Sequence, residues 1–183
     1  NKPVCMVASG IKSIGRKTLL KRCIFKCNIK KSTYPFPEIA LNYDESIEDF
    51  ILKIYDLGYE DDMNLDGLMT MPMEDKIKIA TNYLQTIQKM SEILFIEDKG
   101  SIISQEGEVA RWFAKVIESE NINDKFCICV VSRYRLRFFA EDISYIARDR
   151  IFPMEVGELT KKERDGLLNR YLSFEGIELD LDD

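Results

Sequence analysis

Three unbroken apolar runs, at residues 4–8 (VCMVA), 93–96 (ILFI) and 126–131 (FCICVV), constrain this chain more than any other feature. Each is too short for a buried helix and apolar on both faces, as a strand is when its sheet is covered on both sides. Longer stretches with helical spacing lie between them. In residues 18–27, Leu19, Leu20, Cys23, Ile24 and Cys27 form one face, with Lys21, Arg22 and Lys26 on the other. Residues 73–90 and 108–118 repeat the pattern through Ile77, Ala80, Tyr83, Leu84, Ile87 and Met90, and through Val109, Trp112, Phe113, Val116 and Ile117. Strands alternating with helices predict a parallel α/β sheet.

The remaining elements follow from turn and cap chemistry. Tyr34-Pro35-Phe36-Pro37 is extended, because each proline pushes its predecessor out of helical geometry, and it leads into a strand at residues 38–42. Ser46, with Asp49 three residues later, caps a helix whose buried face is Ile47, Phe50, Ile51, Ile54 and Leu57 and whose end is Gly58. Residues 59–72 read as an acidic, methionine-rich surface linker. Residues 151–154 make a short fifth strand, and residues 160–172 a last helix with Thr160 as cap and Glu163 three residues on. One domain over residues 1–174 is expected, followed by an acidic tail at 175–183.

Composition removes several chemistries. The 183 residues include no histidine, which excludes Ser-His and Cys-His nucleophiles and histidine zinc sites. Cys5, Cys23, Cys27, Cys127 and Cys129 sit at apolar helix or strand positions, so they read as buried free thiols rather than a zinc site. No run approaches the roughly 18 apolar residues of a membrane helix, and no charged-then-apolar leader opens the chain; it reads as cytoplasmic. Trp112, Phe113 and Met63, Met69, Met71 and Met73 read as core and loop packing rather than a cofactor box.

Charge is unevenly placed. The net charge is −6, yet residues 1–31 carry nine Lys or Arg and no acid, leaving 17 of the 26 basic residues against all 32 acidic ones. This positive pole suits an anionic ligand such as a phosphate, or equally a solvated helix face. The acidic remainder speaks against duplex nucleic acid. Arg133, Arg135 and Arg137, interleaved with Tyr134 and Phe138, admit single-stranded nucleic acid, and alternation at a strand exit accounts for them equally well.

Open parallel sheets bind ligands beyond the carboxyl ends of their strands. After the first strand comes Gly10-Ile11-Lys12-Ser13-Ile14-Gly15-Arg16-Lys17-Thr18, with the G-x-x-x-x-G spacing of a phosphate-cradling loop. Arg16 stands where that motif has lysine, and Lys17 where it has the Ser/Thr that ligates Mg²⁺. A one-residue slip instead makes Lys17 the phosphate lysine and Thr18 the Mg²⁺ ligand. The 93–96 run ends in Glu97-Asp98, suited to a Mg²⁺ ligand and a water-polarising acid. The fourth strand ends in Ser132-Arg133, suited to sensing a terminal phosphate.

This order of motifs resembles the nucleotide-binding domain of signal-transduction (STAND) P-loop ATPases, the NB-ARC and NACHT-type, AAA-like proteins. The Gly-Arg-Lys-Thr ending is similar to degenerate Walker A loops beside TIR domains in bacterial members. The resemblance implies a three-layer P-loop NTPase fold with strand order 5-1-4-3-2 and ATP and ADP as switch ligands with Mg²⁺. It places Gly10, Gly15, Arg16, Lys17 and Thr18 on the phosphates, Glu97 and Thr18 on the metal, Asp98 on the attacking water, and Ser132 with Arg133 as sensor. It implies a switch domain of a signalling or defence protein with weak or absent hydrolysis by itself. The partners it implies are an effector domain upstream, a helical lid or winged helix downstream, and further copies of the chain. A pseudo-NTPase serving oligomerisation or docking is the alternative reading, and a phosphoryl transferase using the same loop is a third.

Overall fold

A computed structural model describes residues 3–11, 14–26, 36–58, 66–158 and 160–175. Cys27, Tyr34, Pro35, Met63 and residues 176–183 of the expected 175–183 tail lie outside the described residues. Five strands form one parallel sheet: β1 (Cys5–Ser9), β2 (Glu38–Leu41), β3 (Leu94–Asp98), β4 (Ile128–Ser132) and β5 (Ile151–Glu155). Their spatial order is β2-β3-β4-β1-β5, the 5-1-4-3-2 order expected.

Burial follows strand position. Every residue of the central strand β4 is buried, whereas the edge strand β2 alternates, Ile39 and Leu41 facing the core and Glu38 and Ala40 exposed. The other edge, β5, carries Pro153, which an edge tolerates because its missing N–H breaks no ladder bond. One face is covered by α2 (Ile47–Tyr55), α3 (Met73–Lys89), α4 (Arg111–Glu118) and α5 (Tyr145–Arg150), packed in sequence against one another. Their core holds Phe50, Tyr83 and Phe113 against Val7, Ile96 and Val130. Trp112 is half-buried, 5.4 Å from Phe50 and 5.6 Å from Phe113 between ring centroids. The opposite face is covered by α1 (Arg16–Lys26), whose Leu20 and Ile24 pack on Ala8, Phe95, Cys129 and Val131. The last helix, α6 (Lys161–Glu175), exposes its side chains at 161–165 and 168–170.

Several boundaries differ from expectation for local reasons. β1, β3 and β4 each run on to a polar residue, because Ser9, Asp98 and Ser132 stay in parallel register. Helix α4 begins at Arg111 rather than 108, because Glu108 and Val109 are bridged to Phe138 and Ile103. Within the expected linker, Leu68–Thr70 form a 3₁₀ turn with Leu68 buried. Helix α5 went unforeseen, since six residues are too few to show a period; Ser144 Oγ caps it by accepting the Ala147 N–H at 3.2 Å. Residues 133–137 form no strand: Leu136 is buried, and Arg135 pairs with Glu155 at 2.7 Å.

Both expected capping boxes are present. Ser46 and Asp49 cap α2, and Thr160 and Glu163 cap the start of α6. Cys5, Cys127 and Cys129 are buried free thiols, whereas Cys23, also expected to be buried, is half-exposed on α1; burial pushes Cys127 up to about 12, so it stays protonated and unreactive. Among the described residues no helix is long and apolar enough to cross a membrane.

A buried ion pair, Lys76 with Glu48, joins α3 to α2. Burial alone would raise the Glu48 carboxyl, but hydrogen bonds from Lys76 and Ser46 outweigh it and hold the group below its ordinary 4.5. A depressed carboxyl stabilises the fold above its unfolded value, and that contribution fades as pH falls through the folded one. Glu48→Gln leaves a buried ammonium without its counter-charge and is expected to cost about 3 kcal/mol at neutral pH. Urea midpoints measured down a pH series should show the gap from the native chain closing below about pH 4.5.

Candidate functional site

The turn from β1 into α1 is shaped by two glycines. Gly10 has φ +152°, and a Cβ there would lie 2.6 Å from the Val156 carbonyl oxygen, so only glycine fits where the chain passes the exit of β5. Gly15 has φ +89° and no neighbour within 4 Å of a Cβ, so backbone conformation alone selects it. Its carbonyl accepts the Leu19 N–H at 2.8 Å, which starts the helix at Arg16. Lys12 and Ser13 lie outside the described residues.

The first turn of α1 is electrostatically unusual. Helix N-termini favour acids because their free N–H groups carry partial positive charge. Here the turn holds no acid and begins Arg16-Lys17. Both cations reach protein oxygens: the Arg16 guanidinium donates to the Ser132 carbonyl, and the Lys17 ammonium to the Glu38 carboxylate. Partial burial lowers the Arg16 pKa, against the opposing attraction of Glu97.

These groups border a cleft of about 340 Å³ on the α1 face of the sheet. Gly15, Arg16, Lys17 and Thr18 form one wall, Phe95 and Val131 the floor, and Glu38 and Glu97 the remaining charge. The volume lies within the ~300–1,000 Å³ range of small-molecule sites. A second cleft of about 540 Å³, between α3, α4 and the start of α5, is larger but lined by Glu74, Glu118 and Glu120 against Lys115. It has no glycine turn and mostly negative charge, so chemistry rather than size favours the first cleft.

The remaining candidates are placed differently. Asp98 is buried, and its carboxylate accepts from the N–H groups of Gly100, Ile102 and Ile103 at 3.1, 2.9 and 3.0 Å and from Ser132 Oγ at 2.9 Å. It holds the loop after β3 and the end of β4, and it does not line the cleft. The Ser132 hydroxyl also accepts the Tyr134 N–H at 3.1 Å, so Ser132 meets the loop only through its carbonyl. Arg133 is exposed, with its guanidinium 6.0 Å from the Tyr134 ring centroid, and does not line the cleft either. Glu38 was not legible in the sequence as a site residue, because it enters through the pairing of β2 with β3, opposite Phe95.

Neither a protein-family model nor a curated protein matches the chain. Among solved structures it is similar to the Aeropyrum pernix ORC2 protein, solved as ADPNP–ADP complexes, at 12% identity and a TM-score of 0.47. The match covers 94% of this chain and 46% of that one, so this chain spans about half its length. Such a likeness carries no argument about activity. The sheet order and the glycine turn after β1 show the fold directly. It is the P-loop NTPase α/β fold.

The residues fit a divalent metal poorly. Glu38 holds Lys17, Glu97 faces Arg16, and Asp98 spends its carboxylate on four protein donors. Thr18 is exposed at the rim, and the motif's hydroxyl position carries the Lys17 ammonium. Mg²⁺ gives up its water reluctantly and needs at least one carboxylate with charge to spare.

Removing the Asp98 carboxylate strands three backbone N–H groups and a buried hydroxyl. Asp98→Ala is expected to destabilise the fold by about 3 kcal/mol or more, read from the urea midpoint, whereas Glu97→Ala at the exposed neighbour stays within about 0.5 kcal/mol.

Proposed function

We propose that this chain is a nucleotide-binding module that takes the phosphates of ADP or ATP in the cleft between α1 and the end of β3. The observation that carries it is the first turn of α1, where two cations crowd the positive end of a helix opened by glycines. That arrangement works against the helix itself and is relieved by an anion. Gly15, Arg16, Lys17 and Thr18 would meet the phosphates, with Glu97 the acid beside them; Gly10, also expected there, does not line the cleft and shapes the turn against Val156. Asp98 and Ser132 act as positioning residues for the strand ends, and Arg133 would reach the ligand only after moving.

Asp98, the acid expected on the attacking water, is committed to protein donors and lies off the cleft, which supports binding with little or no hydrolysis by the chain alone. The module would span residues 1–174, with 175–183 as a tail. Its place would be a STAND-type switch in a larger signalling or defence protein, with an effector upstream, a lid or winged helix downstream, and self-association as output. One observation favours the pseudo-NTPase reading: Arg16 and Lys17 are both already bonded within the protein.

A calorimetric titration separates the two readings. ADP and ATP should bind the native chain, and Arg16→Ala with Lys17→Ala should weaken binding by at least tenfold, about 1.4 kcal/mol. No binding at millimolar nucleotide would mean that the glycine turn is vestigial or needs a lid outside this chain, and the search would move to assembly partners.

A further inference from the structure

We propose that the cleft takes nucleotide phosphates without a divalent metal ion, the Lys17 ammonium standing where Mg²⁺ stands in other glycine-loop sites. The inference rests on the nucleotide-binding reading and concerns what neutralises the phosphates there.

In a G-x-x-x-x-G-K-[S/T] loop, the residue after the phosphate-binding cation supplies a hydroxyl to Mg²⁺. The structure settles the register of that loop in this chain. Gly10 and Gly15 are the positive-φ glycines that flank this turn, and α1 starts at Arg16, whose guanidinium donates to the Ser132 carbonyl at the end of β4. Arg16 therefore holds the phosphate-cation position and Lys17 the hydroxyl position. Lys17 lines the cleft, where its ammonium donates a hydrogen bond to the Glu38 carboxylate on the edge strand β2.

The chain thus carries a fixed positive charge at the point where the motif would recruit one from solution. An ammonium has three donors. One suffices for Glu38, which leaves two for phosphate oxygens, and Glu38 acts as a positioning residue that keeps the ammonium inside the cleft. A divalent ion added beside it would meet like charge within about 340 Å³ and would find Glu38 already bonded to the Lys17 ammonium. Arg16 cannot take over this task, since its planar fork is turned toward the Ser132 carbonyl rather than toward Glu38.

The test is calorimetric titration of ADP into the native chain and into Lys17→Thr, each in excess EDTA and in millimolar Mg²⁺. Native affinity is expected to agree within about threefold between the two buffers. Lys17→Thr, which restores the hydroxyl and removes the ammonium, is expected to bind at least tenfold more weakly in EDTA and to regain affinity with Mg²⁺. A native affinity that falls tenfold or more in EDTA overturns the inference while leaving the nucleotide reading intact, and it needs no variant. Unchanged EDTA affinity in a folded Lys17→Thr also overturns it. No ADP binding by the native chain in either buffer removes the nucleotide reading and this inference together.

Discussion

The buried carboxylate of Asp98 is the interaction on which the site depends. Three backbone N–H groups of the following loop and the Ser132 hydroxyl converge on it. That convergence fixes where β3 stops and where β4 ends beside it. Ser132, held in place, presents its carbonyl to Arg16, the first residue of α1. A chain of short polar contacts thus runs through strand ends that are otherwise apolar. In such surroundings an unpaired group is costly, and the geometry admits few alternatives.

Most of the fold was legible because it rests on patterns with a single physical solution. Runs apolar on both faces require a covered parallel sheet, and the cap residues Ser46, Thr160 and Gly58 mark helix ends by hydrogen bonding and backbone conformation. Helix α5 was hidden by its brevity, and the start of α4 by pairing between residues distant in sequence. The site was legible as a set of candidates, but their division of labour was not. Glu97 and Asp98 are adjacent, and a strand sends neighbours to opposite faces, so one acid reaches the cleft and the other the loop on the far side. Nothing local to those two residues says which is which.

Glu38 illustrates the same limit from another direction. It reads as an ordinary strand-start residue, and its meaning comes from β2 lying next to β3 in a register that sets Glu38 opposite Phe95. The positive pole of the N-terminal region divides likewise. Arg16 and Lys17 border the cleft, Lys21 lies 5.6 Å from the Phe95 ring centroid, and Arg22 and Lys26 face solvent. One stretch of basic residues therefore serves both as a solvated helix face and as the charged wall of a site, with the helical period deciding which residue does which.

The most direct test of the account is amide chemical-shift mapping of the isotope-labelled chain during ADP titration. The account predicts shifts centred on Gly10, Gly15, Arg16, Lys17 and Thr18, spreading to Glu97 and Ser132. Shifts confined to the acidic cleft around Glu74, Lys115 and Ser144, or no shifts at saturating ADP, would contradict it.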